Sequence, residues 1–96
     1  MFTHLAIWRV KPGTPDGWAQ EAKRKLEGLN GQIPGLIRIS VGVNTLDSEN
    51  AGDLSMISEF ESPAAYATYQ SHPLHEAVKP HFAGVIAERR FVDYES

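Results

Sequence analysis

Apolar residues fall on both faces of Thr3–Val10, THLAIWRV, with Leu5 and Ile7 on one side and Ala6, Trp8 and Val10 on the other. A strand apolar on both faces belongs in the middle of a sheet. In the next stretch, PGTPDGWAQEAKRKLEGLNG, Trp18, Ala22, Leu26 and Leu29 recur at helical spacing. Thr14 suits the N-cap, Pro15 the first helical position, and Gly28 and Gly31 the stop, so an amphipathic helix is expected. IPGL then predicts a tight turn with Pro34 and Gly35 at its centre. It leads into LIRISVGVN, where Ile37, Ile39, Val41 and Val43 alternate with Arg38, Ser40 and Gly42. That is the pattern of an edge strand buried on one side. Residues 45–53, TLDSENAGD, read as a polar loop with solvated carboxylates, and LSMISEF follows as a third strand.

Ser62-Pro63 again marks a helix start, and the helix runs through Tyr66 and Tyr69 until Pro73 breaks it. Lys79-Pro80 ends the second piece, and VIAERRFVDY is the fourth strand. The order β-α-β-β-α-β predicts an α+β, ferredoxin-like subunit, a four-stranded antiparallel sheet with helices on one face. The helices can cover one face only, yet the strands supply apolar side chains to both, Leu5 and Ile7 opposing Ala6 and Trp8, Leu54 and Met56 opposing Ile57, and Val85 opposing Ile86. Two subunits pressing their uncovered faces together would close a dimeric α/β barrel, so a homodimer is expected.

Ninety-six residues fit one domain, 1–96. The net charge of −3 and the lack of long basic runs argue against nucleic acid, and no apolar run reaches the length of a membrane span. The apolar N-terminus has no basic leader or cleavage site and reads as a strand. With no cysteine, thiol catalysis and thiolate metal sites drop out, and a cytoplasmic home is the expectation.

One cluster stands out for chemistry: YQSHPLHEAVKPHF, residues 69–82, holds a tyrosine, three histidines and two prolines. Together with THLAIWRVK, IPGLIRISVGVN, SEFESPAAYATYQSHPLH and RFVDYE, it resembles the stress-responsive dimeric α/β barrel (Dabb) family over nearly the whole chain. The resemblance implies the barrel dimer. The family holds many members without assigned activity and a few enzymes, among them plant polyketide cyclases that close a linear polyketide by intramolecular aldol condensation. In those cyclases a tyrosine and the second histidine of Y-x-x-H-P-x-H are the catalytic pair, and a histidine early in the first strand lines the pocket. The matching residues here are Tyr69, His75 and His4. Where the cyclases carry bulky aromatics on the first helix, this chain offers Ala22, Lys23 and Leu26, with Trp8 refilling part of the space.

The residue types fit that chemistry on physical grounds. If Pro73 opens a new helical piece, His75 lies in its first turn, where free N–H groups and the helix dipole disfavour an imidazolium. A neutral imidazole can take a proton from a carbon beside a carbonyl, and Tyr69 can donate to the carbonyl oxygen as charge develops there. An aromatic or polyketide-like ligand would meet His4, Trp8, Leu26, Met56, His72 and Val78 as substrate-binding residues, with no cofactor. The opposing expectation is a non-catalytic dimer, binding a small molecule or purely structural, whose interior is filled by Trp8, Leu26, Met56 and Val78. A three-histidine metal site from His4, His72 and His75 fits poorly, because Pro73 turns the latter two apart and only Glu76 adds an acid nearby. His81, beyond Pro80, reads as a surface residue.

Overall fold

The computed structural model describes residues 1–96. Strand β1 (Phe2–Val10) is followed by α1 (Trp18–Glu27), β2 (Leu36–Val43) and β3 (Leu54–Phe60). Three helical pieces come next, α2 (Pro63–Ser71), α3 (Pro73–Glu76) and α4 (Lys79–Phe82), before β4 (Ile86–Glu95). The sheet order is β2-β3-β1-β4 with every pairing antiparallel. This is the ferredoxin-like arrangement, with β1 central and β2 at an edge as the patterning predicts.

Helix α1 lies mainly on β2, and α2 touches β2 and β3. Between helices and sheet sits a core that includes Ala6, Trp18, Ala22, Leu26, Ile39, Leu54 and Phe60. The outer edge of β2 is covered by side chains from α1 and the turn after it. The Asn30 amide donates to the Ile39 carbonyl and accepts from its N–H, while Lys23 donates to the Val41 carbonyl and Glu27 accepts from the Val41 N–H. The outward backbone groups of Ile39 and Val41 are thereby satisfied.

Four local expectations are corrected. Helix α1 does not start at Thr14-Pro15: Gly17 takes a left-handed conformation at its N-cap, and the Thr14 hydroxyl donates instead to the Lys11 carbonyl. Ile37 does not share the buried face with Ile39 and Val41; the register against β3 slips between Leu36 and Arg38, and Ile37 is left exposed. Asp53 is not a solvated loop charge, since its carboxylate accepts from the Val10 N–H at 2.8 Å and it is half-buried. His81 is not a free surface residue. Pro80 lies at the start of α4 rather than ending the helical segment, and the His81 ring stacks on Trp18 with centroids 5.0 Å apart. The Trp18 indole N–H donates to the His81 carbonyl at 2.8 Å, which ties α4 to α1.

Ser62 and Pro73 act as expected. The Ser62 hydroxyl accepts from the Ala65 N–H at 3.1 Å, and His72, extended at φ −67° and ψ 137°, separates α2 from α3. In the IPGL turn Gly35 has φ 83°, and an added Cβ would lie 2.6 Å from the Ala65 Cβ. Gly35→Ala is therefore expected to lose about 2–4 kcal/mol of stability, from the left-handed backbone and the collision with α2. Urea unfolding with an unchanged m-value would measure it; a loss under 0.5 kcal/mol (roughly the scale of a neutral surface change) would contradict it.

Candidate active site

Because the main helix contacts fall on β2 and β3, the helix-facing side of β4 is left uncovered and a cleft of ≈ 470 Å³ opens there. Trp8, Leu26, Met56 and Val78 form apolar walls around it rather than filling it. His4, Tyr66, Tyr69, Gln70, His75 and Phe91 line it as well. The Pro73 break makes this possible. It turns the chain after Tyr69 so that His75, six residues on, brings its ring back to 4.3 Å from the Tyr69 ring.

His75 Nδ1 lies 3.1 Å from the Gln70 carbonyl oxygen. A carbonyl can only accept, so Nδ1 carries the hydrogen and Nε2 is left as the basic nitrogen. The ring titrates below the usual histidine range, first because burial penalises the cation; the bond to Gln70 opposes this, and the Lys79 charge adds to it. Burial is thus the leading cause that holds His75 neutral.

Tyr69 is 2 % exposed, packed on Phe60 and His75, and its hydroxyl is buried without a hydrogen-bond partner. Burial, followed by the proximity of Tyr66, pushes its ionisation well above the ordinary phenol value, so the hydroxyl keeps its proton. A shielded hydroxyl with nothing to bond costs stability, on the order of 1–3 kcal/mol. It is a donor waiting for an acceptor.

His4 faces the helices from β1, with Ala6 and Trp8, and is 5 % exposed. Its Nδ1 is hydrogen-bonded to the Asp93 carboxylate on β4, which lies directly opposite in the ladder. The carboxylate accepts, so Nδ1–H is the donor and Nε2 is the free nitrogen. Tyr66 Oη is 3.3 Å from the same Nδ1 and accepts from the Gln70 amide at 3.2 Å. Burial, then the Asp93 charge, raises the Tyr66 ionisation. Asp93, His4, Tyr66, Gln70 and His75 therefore form one polar chain, in which His4, Tyr66, Gln70 and His75 line the cleft and Asp93 holds His4 from behind it.

His72 stands apart from these residues. Its ring accepts from the Leu74 N–H at 3.1 Å and caps α3, and it does not line the cleft. No three His, Asp or Glu side chains converge in a way that could hold a metal ion. Sequence reasoning missed Asp93, Tyr66 and Gln70. Tyr66 and Gln70 lie three residues before and one after Tyr69, four apart from each other, a spacing that shares a helix face. Asp93 shares a strand face with Phe91, but its pairing with His4 depends on a register between residues 89 positions apart.

The fold is shared with proteins of known structure. A dimeric ferredoxin-like protein of unknown function from Thermobifida fusca is 21% identical, with a TM-score of 0.88 over 99% of this chain and 90% of that one. A dimeric protein of unknown function from Bacteroides fragilis is 22% identical, at a TM-score of 0.81 over 99% and 95%. A hydroxynitrile lyase from Passiflora edulis is 14% identical, at 0.80 over 97% and 90%. No curated protein matches the chain. The stress responsive A/B barrel domain matches residues 2–96, and the chain belongs to this Dabb family.

Proposed function

We propose that the protein is a small acid–base enzyme acting on a carbonyl compound with an apolar, aromatic or polyketide-like body, and that it works as a homodimer. The observation that carries the reading is a partnerless Tyr69 hydroxyl on a ring packed against that of a neutral His75, both residues lining an open cleft. In this reading His75 Nε2 removes a proton from the carbon next to the carbonyl, and the electron pair moves to the carbonyl oxygen, which accepts from Tyr69. The enolate then attacks a second carbonyl of the same molecule, forming the carbon–carbon bond of a cyclisation, and the proton on His75 passes to the new alkoxide. His4, held by Asp93, orients the substrate. Apolar contact comes from Trp8, Leu26, Met56 and Val78. The family resemblance and the occurrence of a hydroxynitrile lyase on this fold are consistent with such chemistry, but the argument rests on this chain's own side chains. The dimer is supported by the apolar residues Leu5, Ile7, Ile57 and Val92 on the sheet face away from the helices, and by the dimeric relatives.

Proton removal can be read without knowing the natural substrate, as exchange of deuterium into the carbons beside the carbonyl of a panel of aromatic ketones and β-diketones. The expected result is catalysed exchange that His75→Gln lowers by about 10²–10⁴-fold. Because the ring titrates below the ordinary histidine value of 6.5, the wild-type rate should stay level as pH falls to that value and decline only beneath it. Wild-type exchange no faster than that of His75→Gln on every compound, with ligand binding retained, would assign the cleft to a non-catalytic binding role.

A further inference from the structure

Charge at the cleft points to the kind of molecule it takes. Nine lysines and arginines are present, and seven of them lie within 4 Å of a carboxylate: Arg9 and Arg90 at Glu88, Lys23 at Glu27, Arg24 and Lys25 at Glu21, Arg38 at Glu59, and Lys79 at Glu76. Lys11 and Arg89 are the two without a carboxylate partner, and both line the cleft. No aspartate or glutamate lines it, in a chain whose net charge is −3. The two cations sit toward the same end. Arg89 lies opposite Trp8 in the β1–β4 ladder, and Lys11 directly follows β1, its N–H bonded to the Val85 carbonyl at 2.8 Å. His4 is four residues before Trp8, about 13 Å away along the strand.

We infer that the cleft binds a carboxylate: the acid group is held by Arg89 and Lys11, and the apolar body runs along Trp8, Met56 and Val78 toward Tyr69 and His75. A guanidinium presents a planar fork of donors that matches a carboxylate in two bonds, and the ammonium adds a point charge beside it. The two residues thus select among substrates rather than take part in proton transfer. The inference names the substrate class of the proposed enzyme and rests on that reading for the use of the cleft, but its test needs no turnover.

The probes are 5-phenylpentanoate and 7-phenylheptanoate, each compared with its primary amide, a neutral molecule of nearly the same shape. Binding is measured by calorimetry to the wild type, to Arg89→Gln/Lys11→Gln, and to Arg24→Gln, a control at an exposed position of α1. Circular dichroism establishes that each variant is folded. The expected result is that the wild type and Arg24→Gln bind the acids about tenfold or more tightly than the amides, and that the double variant binds both alike. The preference should shrink as salt is raised. Acids and amides binding equally to the wild type, a preference that survives in the double variant, or no binding of either acid at millimolar concentration would overturn the inference. Acid preference without ketone exchange would leave the anion site standing and sink the enzymatic reading instead.

Discussion

Tyr69→Phe is expected to lower catalysed exchange by about 10²–10³-fold, the usual cost of removing one donor from a developing oxyanion. Stability should move the other way. The hydroxyl is buried with no partner, so its removal relieves an unmet desolvation cost and leaves the ring packing on Phe60 and His75 in place. The expected change is an unfolding free energy that is unaltered or higher by up to about 1–2 kcal/mol. A tyrosine held only for structure would give the opposite result, with lower stability and no effect on exchange. Thermal unfolding and the exchange assay on one preparation separate the two. This signature, in which activity is gained at the expense of stability, is what a site of poised polar groups should show.

Ile7→Glu with Val92→Glu is expected to convert the proposed dimer to a monomer. In the isolated subunit Ile7 is 44% and Val92 56% exposed, so the carboxylates reach water and cost the subunit's own fold little. Between two subunits the same charges would be buried against apolar residues without partners, a penalty of several kcal/mol. Light scattering after size exclusion should read one subunit mass where the wild type reads two, with an unchanged far-ultraviolet spectrum. A wild type that is monomeric at tens of micromolar (roughly the range where a weak dimer still forms), or a variant that stays dimeric, would defeat the idea.

Much of the architecture was legible because it rests on local signals. Two-sided apolarity placed β1 at the centre, alternation placed β2 at an edge, Ser62-Pro63 set a helix start, and Pro73 set a break. Local signals failed where a competing local structure won. Thr14-Pro15 has the composition of a cap, but the Thr14 hydroxyl satisfies the Lys11 carbonyl and the helix waits for Gly17. Ile37 keeps the alternation in sequence, but a slip in register removes it from the buried face. For the candidate site, the composition of residues 69–82 drew attention to that cluster and the family resemblance singled out Tyr69, His75 and His4, which share the cleft. His72, offered only as a substrate-binding residue, lies outside the cleft with its ring engaged in capping α3. Asp93, Lys11 and Arg89 could not be reached in the same way. Their meaning comes from strand pairing across the length of the chain, or from carboxylates that are absent around them.

The placement of the first strand at the centre of the sheet also governs how the molecule is made. β1 pairs with β3 and with β4, and the His4–Asp93 bond joins positions 89 apart. Contacts this distant close late and slow folding, since the loop entropy is spent before they repay it. During synthesis one backbone edge of β1 stays unpaired until β4 has left the ribosome, and the cleft lacks Ile86, Arg89 and Phe91 before then. A folding probe that reports on ligand capture should therefore light up in the same step as β4 docking, and a chain stalled just short of it should be the species most prone to self-association.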